Sequence, residues 1–117
     1  MMDRELKIRI LERACEIIAT PLTWTRLAVA RDCVGYSTDP RSKQAVCWCA
    51  TGALFKAAHE LGKNEKDFEH RKPIATEVGL GEEVRPGKYL WNINDEFGRE
   101  EVLAVMRARI AELKEEG

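Results

Sequence analysis

A chain of 117 residues with 33% charged and 44% hydrophobic side chains and a formal net charge of −1 has the balance of one soluble globular domain over residues 1–117, not of a disordered tail or a membrane segment. Charges interrupt the apolar residues from the N-terminus onward, so neither a signal-peptide core nor a spanning helix is expected, and the four cysteines (Cys15, Cys33, Cys47, Cys49) read as reduced thiols of a cytoplasmic protein. Basic residues are neither clustered nor interleaved with aromatics, which argues against direct nucleic-acid binding.

The first element is an amphipathic helix from Arg4 to Thr20. Leu6, Ile10, Leu11, Ala14, Ile17 and Ile18 form its apolar stripe, Asp3 caps its start and Pro21 ends it. Leu22 to Thr38 is rich in β-branched and aromatic residues and carries an Asp-x-x-Gly turn signal. It predicts a small hairpin, with Arg26–Asp32 as one strand and a return near Tyr36, anchored on the helices by Trp24 because a lone ribbon is unstable in water. Asp39-Pro40 has the chemistry of a helix start, which predicts a long central helix from there to Leu61 with Gly62 as its stop.

Residues 63–87 are charged and turn-rich, with one helical turn expected at Asn64–Phe68 and a second at Ile74–Leu80. Tyr89–Asp95 leads into a last helix, Arg99–Glu115, whose buried stripe should be Val102, Leu103, Met106, Ile110 and Leu113. The fold class is therefore mainly α: three main helices with a short β-hairpin between the first and second.

Chemistry concentrates in Cys47-Trp48-Cys49-Ala50-Thr51-Gly52. On a continuous helix Cys49, Ala50, Ala53 and Ala57 share a face of short side chains suited to close packing, and Gly52 leaves room for the Trp48 indole. The competing reading is a nucleophilic thiolate, activated by a helix amino end or an imidazole. His59 would lie about 15 Å along the axis from Cys49, which leaves His70 as the base, with Asn92, Asn94 or Asp95 to orient it. Cys47-x-Cys49 lacks the two-to-four-residue spacing of a structural zinc pair, so no metal is expected. Asn94 and Asp95, just before the last helix, read first as caps or turn formers and second as a polar site facing a ligand together with Arg99. A cavity lined by Trp48, Cys49 and Asp95 would mark a small-ligand site.

Trp24-Thr25, Ala30-Arg31-Asp32, Trp48-Cys49-Ala50-Thr51-Gly52-Ala53-Leu54 and Asn94-Asp95 followed by Gly98-Arg99 together resemble a family of small, functionally uncharacterised proteins of bacteria and phages. Two positions depart from that pattern: Ile93 stands where the family has Trp, and Glu100 replaces a Thr after Arg99. The resemblance implies a mainly helical domain and groups Trp24, Arg31, Trp48, Cys49, Gly52, Asn94 and Asp95 as a related set, without implying an activity. The reading that follows is a protein-interaction module, akin to phage accessory proteins. Trp24, Arg31, Trp48, Asn94, Asp95 and Arg99 are its binding residues, another protein or a second copy of the chain is its partner, and no cofactor is expected. The alternative is a thiol hydrolase using Cys49, His70 and Asp95.

Overall fold

The Asp3 carboxylate accepts a hydrogen bond from the Leu6 amide at 2.8 Å, satisfying one of the donors that a helix start leaves unpaired. In the computed structural model, which describes residues 3–62 and 71–116, α1 follows over Arg4–Ile17 and buries Ile10, Leu11, Ala14, Cys15 and Ile17. It stops short of the predicted Thr20. The proline ring at 21 forces Thr20 into extended backbone (φ −120°, ψ 153°), so the helix must unwind before it, and Pro21–Thr23 then forms a single 3-10 turn.

A two-stranded antiparallel element does lie between the first two main helices, but with a different partner from the one predicted. Strands β1 (Ala30–Arg31) and β2 (Cys47–Trp48) pair with Ala30 opposite Trp48 and Arg31 opposite Cys47. The turn after β1 is present: Asp32 Oδ1 accepts from the Val34 and Tyr36 amides, and Arg31 bridges Ser37. That return occupies one edge of β1, while β2 takes the other and carries Trp24 beyond it through a parallel Trp24–Trp48 bridge.

The central helix starts ten residues later than predicted. Asp39 does not cap a helix; its carboxylate closes on its near neighbour, accepting from the Arg41 amide (2.8 Å) and the Arg41 guanidinium (3.0 and 2.9 Å). A local Asx turn has displaced the helix start, as short polar side chains do when the chain beyond is needed elsewhere; here residues 47–48 are needed as a strand. α2 covers Ala50–Glu60 with Cys49 as N-cap and finishes at Gly62, whose φ of +85° suits the left-handed stop. Eight of its eleven residues are buried, and the Ala50, Ala53, Ala57 stripe is fully covered. Trp48 is therefore not on the helix, and Gly52 makes room for something else: a Cβ there would collide with the Val29 carbonyl, which accepts from the Cys49 amide at 3.1 Å.

Helix α3 (Arg71–Glu77) contributes buried Ile74 and Ala75; the turn expected at Asn64–Phe68 lies outside the described residues. After a tight turn in which the Lys88 amide donates to the Arg85 carbonyl at 2.8 Å, the one-turn α4 (Leu90–Asn92) runs into a π-helical turn, Ile93–Phe97. α5 spans the predicted Arg99–Glu115 and buries the five predicted residues, Val102, Leu103, Met106, Ile110 and Leu113. α1 packs against both α2 and α5. Among the described residues no helix is long and apolar enough to cross a membrane.

Candidate functional site

Asn94 sits in the π-helical turn with no exposed surface. Its Oδ1 accepts from the Trp24 indole N–H at 2.8 Å and from the Ala50 amide at 3.0 Å. Its Nδ2 donates to the Thr25 carbonyl at 3.1 Å and to Asp95 Oδ1 at 3.0 Å. Both groups facing the oxygen can only donate and both facing the nitrogen only accept, so the chemistry of the partners fixes the amide orientation. One side chain thus joins three separate stretches: the loop after the 3-10 turn, the first residue of α2 and the α4–α5 connection.

Asp95 extends this network instead of capping α5. The N-cap of that helix is Gly98 (φ +94°), which makes no side-chain cap bond. Asp95 Oδ1 reaches back 68 residues in sequence and accepts from the Leu27 amide at 3.0 Å. Leu27 has a φ of +65°, the one non-glycine in the left-handed region among the described residues, a conformation that costs an L-residue about 1–2 kcal/mol. Its side chain nevertheless stands 75% exposed. Behind the same loop, Arg31 donates to Thr25 Oγ1 (3.0 Å), the Arg26 carbonyl (3.1 Å) and the Gly35 carbonyl (3.0 Å), so residues 25 and 26 are gripped from both sides.

These contacts wall a cleft of about 650 Å³. Leu27 and Ala28 form one side, Cys49 and Thr51 the α2 end, Ala75, Leu80 and Gly81 the far side, and Tyr89, Leu90, Trp91 and Asp95 the remainder. The Cys49 sulfur caps α2 by accepting from the Gly52 amide at 3.3 Å. Trp91 is 56% exposed and Tyr89 42%, so the mouth of the cleft is aromatic and apolar.

Of the residues singled out from sequence, Cys49 and Asp95 line the cleft, Trp24 and Asn94 lie behind it in the network that holds Asp95, and Arg31 braces the loop from behind. Trp48 bridges to Trp24 but does not line the cleft, and its indole donates to the Pro40 carbonyl at 2.8 Å. Arg99 stands apart, donating to the Ala19 carbonyl at 2.7 Å and so tying the start of α5 to the end of α1. His59 is exposed in the last turn of α2, ten residues from Cys49 and about 15 Å along the axis; His70 lies outside the described residues. Cys15 belongs to a different environment between α1 and α5, where burial pushes its thiol up to about 11. Among the described residues no group of three or more His, Cys, Asp or Glu could hold a metal ion.

Sequence reasoning missed Leu27, Thr51, Leu80 and Tyr89. The pair Tyr89 and Trp91, alternating with buried Leu90, was the one available signal: two aromatics facing away from the core side of a short segment.

A family model described as a family of unknown function, DUF6197, matches residues 2–112, and the chain belongs to that family. No curated protein and no solved structure matches the chain.

Proposed function

We propose that this member of the DUF6197 family is a small protein-interaction module whose cleft receives a side chain of its partner along an apolar rim. The observation that carries the reading is the rim: Leu27, Tyr89 and Trp91 are exposed large hydrophobic side chains, and all three open onto one cleft. Apolar side chains left in water around a concavity mark contact surfaces, and aromatic residues are the usual anchors there. The Asn94 network gives that rim a fixed geometry before any partner arrives, which lowers the ordering cost of association. The proposal includes a cytoplasmic location with reduced thiols, supported by the charges that interrupt the apolar residues, and a kinship with phage accessory proteins, supported by the motif pattern around Trp48-Cys49.

The test is a titration of the ¹⁵N-labelled protein with N-acetyl-leucine methylamide. Shifts confined to the Trp91 indole N–H and the amides of Leu27, Ala28 and Thr51, and abolished in Trp91→Ala, are expected. Scattered shifts, or none, count against the cleft. Sedimentation of wild type and Trp91→Ala reveals whether the occupant is a second copy: a dimer lost in the variant would replace the foreign partner.

A second reading is favoured by one feature of the same cleft. Cys49, itself buried, and Asp95 are both among its lining residues, the cysteine at the amino end of an eleven-residue helix, a position where thiolate character is favoured. A thiol hydrolase would use that sulfur as nucleophile. Iodoacetamide labelling of Cys49 across pH decides: fast labelling well below the ordinary thiol value of about 8.5 supports it, and labelling that appears only near that value removes it.

A further inference from the structure

We infer that the cleft selects a cationic side chain, a lysine or arginine of the partner protein, with its aliphatic stem along Leu27 and Trp91 and its charged end at Asp95. This rests on the binding role proposed above and goes further by naming the chemistry recognised.

Among the described residues lining the cleft, Asp95 is the one aspartate or glutamate, the other polar side chains are Cys49, Thr51, Tyr89 and Trp91, and no lysine or arginine takes part. Among the described side chains, the cations on neighbouring segments are engaged elsewhere. Lys88 pairs with Glu96 at 2.6 Å, Arg85 with Glu101 at 2.7 Å, and the Arg26 guanidinium lies over the Trp24 ring at 5.0 Å. The carboxylate is also fixed in place. Oδ1 takes N–H groups from both Leu27 and Asn94, while Oδ2 accepts no hydrogen bond from the described residues.

A rigid anion with one oxygen unspent, set in a partly enclosed apolar wall, attracts a cation more strongly than it would in open water, because the surrounding medium screens less. The same arrangement penalises the alternatives. An anionic group would meet like charge with no donor to offset it, and a purely aliphatic one would strip water from Asp95 without replacing it. The two half-exposed aromatic rings, Tyr89 and Trp91, add faces that favour a passing ammonium or guanidinium. Lysine and arginine carry an apolar stem and a charged tip on one side chain, which matches a cleft whose lining is mostly apolar and holds one carboxylate.

The experiment titrates the labelled protein with three capped amino acids: N-acetyl-lysine methylamide, its neutral counterpart N-acetyl-norleucine methylamide, and N-acetyl-glutamate methylamide. The lysine probe is expected to bind about tenfold more tightly than norleucine, and glutamate most weakly. Asp95→Asn keeps an oxygen for the Leu27 and Asn94 donors but removes the charge, and should bring lysine down to the norleucine level. Raising salt to about 0.5 M should narrow the wild-type preference in the same direction, a check that does not depend on the variant folding. Equal binding of lysine and norleucine by the wild type overturns the inference and leaves the binding role standing, as does a lysine preference that survives in Asp95→Asn. Failure of every probe to shift the cleft overturns both.

Discussion

Removing the Asn94 side chain should cost more stability than any other single polar truncation in this chain. In Asn94→Ala the Ala50 amide loses its acceptor inside a fully buried turn, and an orphaned buried donor costs about 1–3 kcal/mol. The Trp24 indole and the Thr25 carbonyl, part-buried, lose a partner that water can replace only partly, and a void remains where the amide stood. Together these amount to roughly 3–5 kcal/mol, a large share of the about 5–15 kcal/mol that holds a domain of this size. The expected consequence is a melting temperature lowered by about 10–25 °C, read by circular dichroism and by urea unfolding at constant m-value. Asn94→Asp sharpens the test. It is nearly isosteric, yet it places an acceptor where Nδ2 now donates to the Thr25 carbonyl and to Asp95 Oδ1. At neutral pH it should be at least as destabilising as alanine, and the deficit should shrink on acidification as the new carboxyl gains a proton to donate. A loss below about 1 kcal/mol for either variant would refute the network as the tie between the three segments.

Three further outcomes follow from packing and charge. Gly52→Ala drives a Cβ into the Val29 carbonyl; a net loss of about 1–3 kcal/mol is expected in denaturant titration even though alanine is the better helix former, and unchanged stability would mean the loop does not press on α2. Glu60 is held below the ordinary carboxylate range first by its hydrogen bond to Arg13 and then by the charges of Arg13 and Lys56, against some desolvation. Its stabilising contribution is therefore full above the unfolded value near 4.5 and lost as pH falls through the lower folded value. Glu60→Gln should flatten that acid limb by less than about 1 kcal/mol, the pair being partly exposed, and an unchanged pH profile would discard the pair as a source of acid sensitivity. Cys15, with its thiol pushed to about 11 by burial, should resist a thiol-disulfide reagent at pH 8 until denaturant is added, whereas exposed Cys33 reacts at once; rapid labelling of Cys15 in the native protein would contradict its burial.

The two long outer helices were legible because a 3.6-residue apolar repeat and a cap residue determine them locally: α5 keeps its predicted limits and all five of its predicted buried residues, and α1 differs by a frayed last turn. The centre was not, for a reason that no local rule can repair. Asp39-Pro40 begins a helix or closes an Asx turn with the same atoms, and what decides between them is the pairing of Trp48 with Ala30, two residues eighteen apart in sequence. Two-residue strands carry no periodicity to betray them. At the site, Trp24, Asn94 and Asp95 of the motif pattern share one hydrogen-bond network that also reaches Ala50, next to Cys49, but their chemistry was hidden: a helix-flanking Asx pair reads as capping, and nothing in a leucine announces a left-handed backbone.

Several departures from local preference gather around the cleft. α1 and α5 obey propensity, periodicity or capping in the ordinary way, and Gly62 and Gly79 take up left-handed positions that suit them. Around the cleft, by contrast, a leucine holds φ +65°, an asparagine is buried without any exposed surface, a helix is interrupted by a π turn, a thiol serves as N-cap, and a tryptophan stands more than half in water. Each of these carries a cost that a packing-only solution would shed: an Asx or Gly at 27 would relax the backbone, and a serine at 49 would cap α2 better. Packing explains Gly52, because the Val29 carbonyl needs its space, but it does not explain an exposed Leu27 pinned by a carboxylate from the other end of the chain. Costs that gather around one concavity, beside one fully satisfied amide, are the features that support the proposed binding role over a purely packed core.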